Sequence, residues 1–462
     1  MATSIDKRQL RFSTVNAHRS PREAFVNHHP VNLRVLAISV AAALSATALL
    51  TGCGSSDDSA DSDGPVELTY WAWAPDLEKV AAIWNKEHPD IKVTVKKQAS
   101  GDDLVTKIIT AAKAHKAPDL VQAEYQALPT LVSNDVLADI SGQVGDVEGE
   151  FAGGIWRQVT LGTDAVYALP QDSGPMMLYY RKDLFQQYDL QVPTTWEEFA
   201  ATARKLKEKA PDKALTTFSA NDSGLFAGLA QQAGASWWTT RGDKWKVAID
   251  GAPTRKVADF WGGLVKEGAI DNQPMYTPAW NKALNTGKQI AWVSAVWAPG
   301  TLKTAAPDTQ GTWAMAPLPQ WSKGSNWTGS WGGSSTAVTN DSAHKDAAAK
   351  FAKWLNTDPK AVAALVKVCN VYPAATTAHN GDALKKAPDF FPDQPDFYAK
   401  VAEITEGIAP AAWGPNVNVA YASFNDSFGK AAKNKSDFGA ALTAMQQATV
   451  TDLKKHGFEV AE

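Results

Sequence analysis

The chain has 462 residues, of which 44 % are hydrophobic and 20 % charged, and its 45 Lys and Arg against 49 Asp and Glu give a net charge of −4. This balance excludes a disordered chain and favours a globular protein of two or three domains, and the lack of a basic excess argues against a nucleic-acid partner. Two cysteines are too few for a disulfide framework or a four-thiolate zinc site.

The first fifty residues have the pattern of a secretion signal. Residues 1–34 carry six Lys or Arg against two acids, and residues 35–50 form a run of sixteen residues without a charge. Such a run is shorter than the roughly 20 residues of a membrane span and is typical of the apolar part of a signal peptide. It ends at Leu50-Thr51-Gly52-Cys53, which resembles the bacterial lipobox. The resemblance implies a lipoprotein signal peptide over 1–52, cleavage before Cys53 and acylation of the Cys53 thiol.

A short acidic segment follows the signal. Residues 53–64 are small and acidic and predict a flexible tether, which argues against the alternative that Cys53 is a buried cysteine after an apolar core helix. The remaining chain has no second apolar run near eighteen residues. We therefore expect a soluble, monomeric body that is held at the outer face of the cytoplasmic membrane by its lipid alone. Cys369 would be its one unmodified thiol, a small core residue.

Strands and helices alternate along the first part of the body. The pattern predicts strands over 66–74, 91–98 and 118–125. It predicts helices over 75–90, 104–116 and 128–141. Repeated strand–helix–strand order is typical of an α/β fold with parallel sheets and helices on both faces.

The second part of the body continues this pattern and ends in helices. Residues 165–185 predict a strand, a break and a second strand, followed by a helix with Thr194 or Thr195 as N-cap and Glu197 and Glu198 in its first turn. A helix is predicted over 254–267, a strand over 290–297 and a helix over 346–359. The last hundred residues are predicted to be mostly helical.

No catalytic or metal-binding motif accompanies this pattern. Gly287-Lys288 is followed by Gln289 rather than by Ser or Thr, so no phosphate-binding loop is present, and the only G-x-G lies at residues 52–54. The chain has no G-x-S-x-G, H-E-x-x-H or C-x-x-C. No two of the five histidines that follow Cys53 lie within four residues of each other. We therefore expect a protein that is not an enzyme and has no metal or cofactor.

Tryptophan is the unusual component, with 18 residues against 16 Phe and 10 Tyr. Four indoles lie inside helical patterns and are predicted to be core residues: Trp84, Trp196, Trp261 and Trp354. Others lie at strand ends or in Gly-rich breaks, where ligands bind in open α/β sheets. An indole face there suits the C–H face of a pyranose. The candidate ligand-binding indoles are Trp73, Trp238, Trp280, Trp297, Trp331 and Trp413.

Three carboxylates are candidate acceptors for sugar hydroxyls, since a carboxylate can accept from two vicinal hydroxyls. Asp172 lies in the break LPQDSGP, Glu124 ends the strand PDLVQAE, and Asp222 lies in SANDSG. Each has an alternative interpretation: Asp172 as the start of a turn, Glu124 as a solvated strand end, and Asp222 as an Asx-turn.

The order of these segments resembles the extracellular solute-binding lipoproteins of ABC importers, in the sugar-binding family that includes the maltose-binding protein. ALPQDSGPMMLYYRKDLF followed by PTTWEEFAATARKLK carries the resemblance best, since the family has there a strand that crosses between lobes and then a helix. GKQIAWVSAVWAPGTL is similar to the segment with a sugar-stacking Trp, and Trp297 falls on that position. Trp73 falls where the family often has a sugar contact, whereas Glu124, Asp222 and Asn416 are weaker transfers.

The resemblance implies two α/β lobes with a hinge and an interlobe ligand cleft. Lobe 1 would comprise 65–172 and 330–373, and lobe 2 would comprise 173–329 and 374–462. A sugar would close the lobes, and a membrane permease of an ABC importer would receive it. Two alternatives stay open: a secreted glycoside hydrolase, with Glu124 and Asp172 as its carboxyl pair, and a binding protein for another solute such as a polyamine.

Overall fold

The computed structural model describes residues 64–241, 244–379 and 381–461, so the predicted signal peptide and Cys53 lie outside the described residues. Strands form wherever apolar and β-branched residues alternate or run together. They are β1 (Val66–Ala72), β2 (Ile91–Lys97), β3 (Leu120–Glu124), β4 (Leu169–Arg181), β5 (Trp238–Arg241), β6 (Lys244–Val247), β7 (Ala291–Ala295), β8 (Trp313–Pro317) and β9 (Ser330–Val338).

The helices between and after these strands are amphipathic and cover the sheet. In the first half they are α1 (Leu77–Glu87), α2 (Asp102–Lys113), α3 (Leu128–Ser133), α4 (Ser141–Val144), α5 (Gly153–Thr160), α6 (Lys182–Gln187), α7 (Trp196–Lys209) and α8 (Ser223–Gln232). In the second half they are α9 (Ala252–Glu267), α10 (Pro278–Asn285), α11 (Ala298–Ala305), α12 (Lys345–Thr357), α13 (Pro359–Ala364), α14 (Phe397–Glu406), α15 (Val417–Asn434) and α16 (Phe438–Lys455).

The main sheet has the strand order β2-β1-β3-β9-β4-β7, with β8 also paired to β4. Strand β1 runs parallel to β2 and β3, as the strand–helix–strand order predicts. The prediction of parallel sheets is wrong for the rest, because β9 pairs antiparallel with β3 and β4, and β4 pairs antiparallel with β7 and β8. Connections with several helices lead into β4 and β7, α11 joins β7 to β8, and a loop over 318–329 leads into β9. The order of these elements along the chain therefore does not fix the direction of the strands.

Strand β4 joins two parts of this sheet. Its first half, from Leu169 to Pro175, pairs with β9, and its second half, from Met176 to Arg181, pairs with β7 and β8. Register shifts occur between Pro170 and Asp172 and again before Pro175. The predicted break is therefore a pair of irregularities inside one strand, which bend and twist the chain where it crosses from one part to the other.

Most other local predictions agree with the structure, with one helix shorter than expected. The capping box of α7 is present, because Thr195 accepts a hydrogen bond from the Glu198 backbone while Glu198 reaches back to it. The helix predicted over 128–141 ends at Ser133, since Asp135 adopts a left-handed φ of 58° and Leu137 then pairs with Thr339. The hairpin of β5 and β6 was not predicted.

Tryptophans fill much of the interior, as the helical patterns predict. Trp84, Trp196 and Trp261 are buried, and Trp354 is partly buried against Trp84. Cys369 is buried as well, as its apolar surroundings predict. Among the described residues no helix is long and apolar enough to span a membrane, and no three His, Cys, Asp or Glu residues are grouped to hold a metal ion.

Candidate functional site

Strand β9 begins at Ser330 and continues with Trp331-Gly332-Gly333-Ser334, and Ser334 pairs with both β3 and β4. Gly332 and Gly333 have positive φ angles of 76° and 95°, a backbone region that favours glycine. A Cβ at Gly333 would lie 2.8 Å from the Tyr125 ring. The paired glycines therefore allow a local turn of the backbone and a close approach to Tyr125.

Ser334 links three strands through polar side chains. Its backbone N–H and its hydroxyl donate to the two carboxylate oxygens of Asp172, at 2.7 and 2.8 Å. The Gln122 amide donates to the Ser334 hydroxyl at 2.9 Å, and the Gln122 carbonyl oxygen accepts from the backbone N–H of Trp73 at 3.0 Å. Asp172 and the Trp73 backbone, which are 99 positions apart by numbering, thus belong to one hydrogen-bonded network.

Glu124 and Asp172 lie in one row across the sheet. Ser334 pairs with Glu124 on one side and with Asp172 on the other. Since neighbouring strands are roughly 4.8 Å apart, the backbones of the two acids are about 10 Å apart. The Glu124 carboxylate accepts from the Gln126 amide at 2.6 Å. The structure therefore brings together two of the three predicted carboxylates.

Asp172 is an acid with an altered pKa rather than a simple turn residue. Burial raises the pKa of its carboxyl to about 6, and the two hydrogen bonds from Ser334 act in the opposite direction. Its backbone carbonyl accepts from the Tyr125 hydroxyl at 2.8 Å. The side chain is thus held in place by β9 at the point where β4 crosses.

Asp222 is the N-cap of α8 and lies close to two aromatic side chains. Its carboxylate accepts from the Leu225 backbone N–H at 3.0 Å, in line with the Asx-turn interpretation. Burial raises the pKa of this carboxyl to about 7, and the nearby Tyr276 and Trp331 side chains act in the opposite direction.

Four aromatic rings pack edge to face around Trp292 of β7, a residue that sequence analysis does not single out. Ring centroids lie 5.1 Å from Trp292 for Trp280, 5.7 Å for Trp297, 6.4 Å for Trp331 and 6.5 Å for Tyr276, all edge to face. We call these five residues the Trp292 cluster. Tyr276 is likewise not identified by sequence analysis, because a lone Tyr before a helix has no distinctive pattern.

Two members of the Trp292 cluster are open to solvent. Tyr276 is 47 % exposed and Trp297 is partly buried, whereas Trp331 is 7 % exposed. Trp280, in the same cluster, and Trp238, which packs against Gly414, have no exposed surface. We therefore leave Trp238 and Trp280 out of the binding surface proposed below, because a ring without exposed surface cannot touch a ligand in this arrangement.

The remaining candidates lie on other segments. Trp73 is partly buried beside Glu124 and α2, around a space of about 10 Å³. Trp413 is partly buried, and its indole donates to the Gln158 side chain at 3.1 Å. Asn416 is 5 % exposed and donates to the Thr449 carbonyl at 2.9 Å, a core contact.

Larger cavities lie elsewhere, along the loop between β8 and β9. They have volumes of about 530, 570 and 770 Å³, and Gln320 lines each of them. Trp321 and Trp327 also contribute to their walls. None of the predicted site residues lines these three cavities, so the loop is separate from the site described above.

Strands β4 and β9 cross between two α/β parts, and polar and aromatic side chains lie along this crossing. This arrangement defines a two-lobed ligand-binding protein. The chain belongs to the family of bacterial extracellular solute-binding proteins, whose sequence pattern matches residues 69–362. The members of this family are binding proteins.

Individual relatives agree with this assignment. The lactose-binding protein of Rhizobium radiobacter is 28 % identical over 407 residues, which is 81 % of this chain and 90 % of the relative. The galacto-N-biose-/lacto-N-biose I-binding protein of the ABC transporter from Bifidobacterium longum, solved with lacto-N-biose, has a TM-score of 0.79 and 28 % identity, over 87 % of this chain and all of the other. An ABC transporter associated binding protein from B. animalis subsp. lactis, solved with β-1,6-galactobiose, has a TM-score of 0.76 and 26 % identity, over 86 % and 100 %.

Proposed function

We propose that this protein is the substrate-binding component of an ABC importer and captures a di- or oligosaccharide. The Trp292 cluster carries the proposal, because it presents the Trp297 and Tyr276 rings to solvent close to the crossing strands. Aromatic faces with a few fixed polar groups are the general plan of a small-molecule site. The relatives named above, two of them solved with a disaccharide, support the same ligand class.

Binding would proceed by closure of two lobes about the crossing strands. The sequence assigns 65–172 and 330–373 to lobe 1 and the other body residues to lobe 2. The Trp331 backbone carbonyl accepts a hydrogen bond from the Trp297 indole, whereas Ser334 is held by Asp172 and Gln122. Because Trp331 and Ser334 are bonded to different parts of the protein, a hinge at Gly332-Gly333 is favoured. This hinge lies slightly after the predicted lobe boundary at residue 330. A ligand that contacts both lobes would stabilise the closed form by its differential contacts.

The proposed ligand surface consists of aromatic side chains that have exposed area and of the two acids beside strand β9. Trp297 and Tyr276 would stack on sugar rings, and Trp73 and Trp413 would contribute from other segments. Glu124 and Asp172 would accept hydrogen bonds from sugar hydroxyls, because a carboxylate can accept from several donors.

The proposed location of the protein and its membrane partner are based on the signal peptide and tether that the sequence predicts. We propose that Cys53 is acylated after removal of residues 1–52 and that residues 53–64 tether the monomeric body to the outer face of the cytoplasmic membrane. The membrane permease of the importer would then recognise the closed, sugar-loaded form. No metal or cofactor takes part in this scheme.

A glycoside hydrolase would use the same acids differently. Glu124 and Asp172 would be its carboxyl pair, and an inverting pair needs carboxyl groups roughly 6.5–9.5 Å apart. Both Asp172 oxygens, however, accept hydrogen bonds from Ser334, which holds the carboxylate as a fixed acceptor. We therefore propose binding without hydrolysis. Release of monosaccharide from lactose or β-1,6-galactobiose by the purified chain would contradict this.

A thermal-shift series on the purified full chain tests the ligand class. Lactose, lacto-N-biose and β-1,6-galactobiose are the saccharide arms, and spermidine is the polyamine arm. A ligand that binds only the native state at about 100 times its Kd adds about 2.7 kcal/mol to the free energy of unfolding and raises the midpoint. We expect at least one saccharide to raise it and spermidine to leave it unchanged. A shift with spermidine alone, or with none of the four, would overturn the proposal.

A further inference from the structure

Tyr276 has an unusual backbone conformation for an exposed aromatic residue. Its φ angle is 62°, in the left-handed region that costs energy for a residue with a bulky side chain. Among the described residues it is the one aromatic residue with a positive φ. Its side chain is 47 % exposed, so the strain is not offset by full burial of the ring.

The neighbouring residues hold this conformation from both sides. The Met275 backbone N–H donates to the Ser219 hydroxyl at 2.9 Å, and the Met275 carbonyl accepts from Asn221 at 3.3 Å. On the other side, the Thr277 hydroxyl caps α10 by accepting from the Trp280 backbone N–H at 3.2 Å. The chain on either side of Tyr276 is therefore fixed by specific hydrogen bonds.

The side chain lies among specific neighbours. The Tyr276 hydroxyl lies near the Asp222 carboxylate. The ring meets Trp280 edge to face with centroids 5.4 Å apart and Trp292 at 6.5 Å. One end of the ring is thus held inside the Trp292 cluster while the rest of its surface faces solvent.

Backbone strain of this kind persists where the surrounding structure imposes it, and it is concentrated at functional sites. Tyr276 and Trp297 are the members of the Trp292 cluster with substantial open surface, and each packs on Trp292. A pyranose that stacks on Trp297 would leave the Tyr276 face for a neighbouring ring. We propose that Tyr276 is a second stacking surface of the site, held by its contacts with Trp280 and Trp292, and that it selects saccharides of more than one ring. This inference rests on the proposed function.

Two substitutions separate ring stacking from the hydroxyl contact. Tyr276→Ala removes the ring, whereas Tyr276→Phe keeps the ring and removes only the hydroxyl near Asp222. The measurement is calorimetric titration of the purified full chain with the tightest-binding disaccharide of the thermal-shift series and with its constituent monosaccharide. We expect Tyr276→Ala to weaken disaccharide binding at least tenfold and monosaccharide binding less than threefold. Tyr276→Phe should weaken disaccharide binding less than Tyr276→Ala does.

The unfolding midpoint without ligand distinguishes a binding role from a structural one. Tyr276→Gly relieves the strain at positive φ, so its ligand-free midpoint should equal or exceed that of the natural chain, while its disaccharide affinity falls as in Tyr276→Ala. Equal losses for the disaccharide and the monosaccharide, an unchanged disaccharide affinity, or a lower ligand-free midpoint in Tyr276→Gly would each overturn the inference.

Trp297→Ala distinguishes a failure of this inference from a failure of the site itself. Where Trp297→Ala loses disaccharide binding and Tyr276→Ala does not, the site stands and the role of Tyr276 is refuted. Where neither variant differs from the natural chain, both the site and the inference are refuted. Where no saccharide binds the natural chain, the proposed function fails and this inference fails with it.

Discussion

Trp297 donates its indole N–H to the backbone carbonyl of Trp331 at 3.0 Å, and the two rings meet edge to face with centroids 4.8 Å apart. The hydrogen bond fixes the orientation of a partly exposed indole before any ligand arrives. A ring held in this way loses little conformational freedom on binding, so more of its contact energy contributes to affinity.

Trp297→Ala should weaken saccharide binding at least about thirtyfold, since a central indole contributes roughly 2 kcal/mol or more to a small interface. The unfolding transition should stay cooperative, because the Trp297 ring is only partly buried. Trp327→Ala is the matched control: this indole is 50 % exposed and lines the loop cavities instead. Calorimetric titration of both variants checks the prediction, and equal affinities for the two would contradict the site assignment.

Gly333→Ala should destabilise the protein and reduce the midpoint shift caused by saccharide. A Cβ there meets the Tyr125 ring at 2.8 Å, and the φ of 95° is unfavourable for alanine. Gly263→Ala is the control, because this glycine lies inside α9 with no atom within 4 Å of an added Cβ. That substitution should be neutral or stabilising by up to about 1 kcal/mol. Thermal unfolding of both variants, with and without saccharide, measures the effects; similar curves would refute the role of Gly333.

The stability difference between the natural chain and Asp172→Asn should depend on pH. Burial raises the pKa of Asp172 from 3.8 to about 6, so the folded state binds its proton more tightly than the unfolded state. The resulting stability is fully present below pH 3.8 and is lost as the pH rises through about 6. Relative to the non-titrating Asn variant, the natural chain should therefore gain stability as the pH falls from about 7 to about 4.

Urea unfolding at several pH values measures this difference. Asp146→Asn is the comparison, because a hydrogen bond from Lys353 lowers the pKa of the exposed Asp146 carboxyl. Stability from Asp146 is lost only as the pH falls below 3.8, so its difference from the natural chain should be flat between pH 4 and pH 7. A flat profile for Asp172→Asn as well would show that its carboxyl has an ordinary pKa.

Cys53→Ser should release the protein from the membrane, because serine cannot take the thioether-linked lipid on which the proposed anchor depends. Cys369→Ser is the matched control, since this thiol is buried in the body and has no role in anchoring. Fractionation of bacteria that express each variant, followed by detection of the protein in membrane and soluble fractions, measures the effect. Membrane retention of the Cys53 variant would refute lipid anchoring at this residue.

Several features of the site could be predicted from the sequence because they depend on neighbours in the chain. Period-two strands, capped helices and the polar break around Asp172 are local patterns, and the structure shows this break as two irregularities inside β4. The position of Trp297 directly after β7 is equally local. Strand direction was predicted correctly only for β1, β2 and β3, which follow one another through short helical connections.

Other features depend on contacts between distant parts of the chain. Trp238 and Trp280 are predicted to bind ligand together with Trp297, yet packing against Gly414 and Trp292 buries them completely. Tyr276 shows no local pattern, and its place in the Trp292 cluster depends on its contacts with Trp280 and Trp292.

By itself, the sequence determined the α/β elements, the leader with its cysteine, and a surplus of indoles beside polar breaks. Only the tertiary structure decided which indoles keep an open face and which acids are held by Ser334 or the Trp292 cluster. The physical reason is that secondary structure follows from local backbone and side-chain preferences, whereas exposure and hydrogen-bond partners depend on which distant segments pack together.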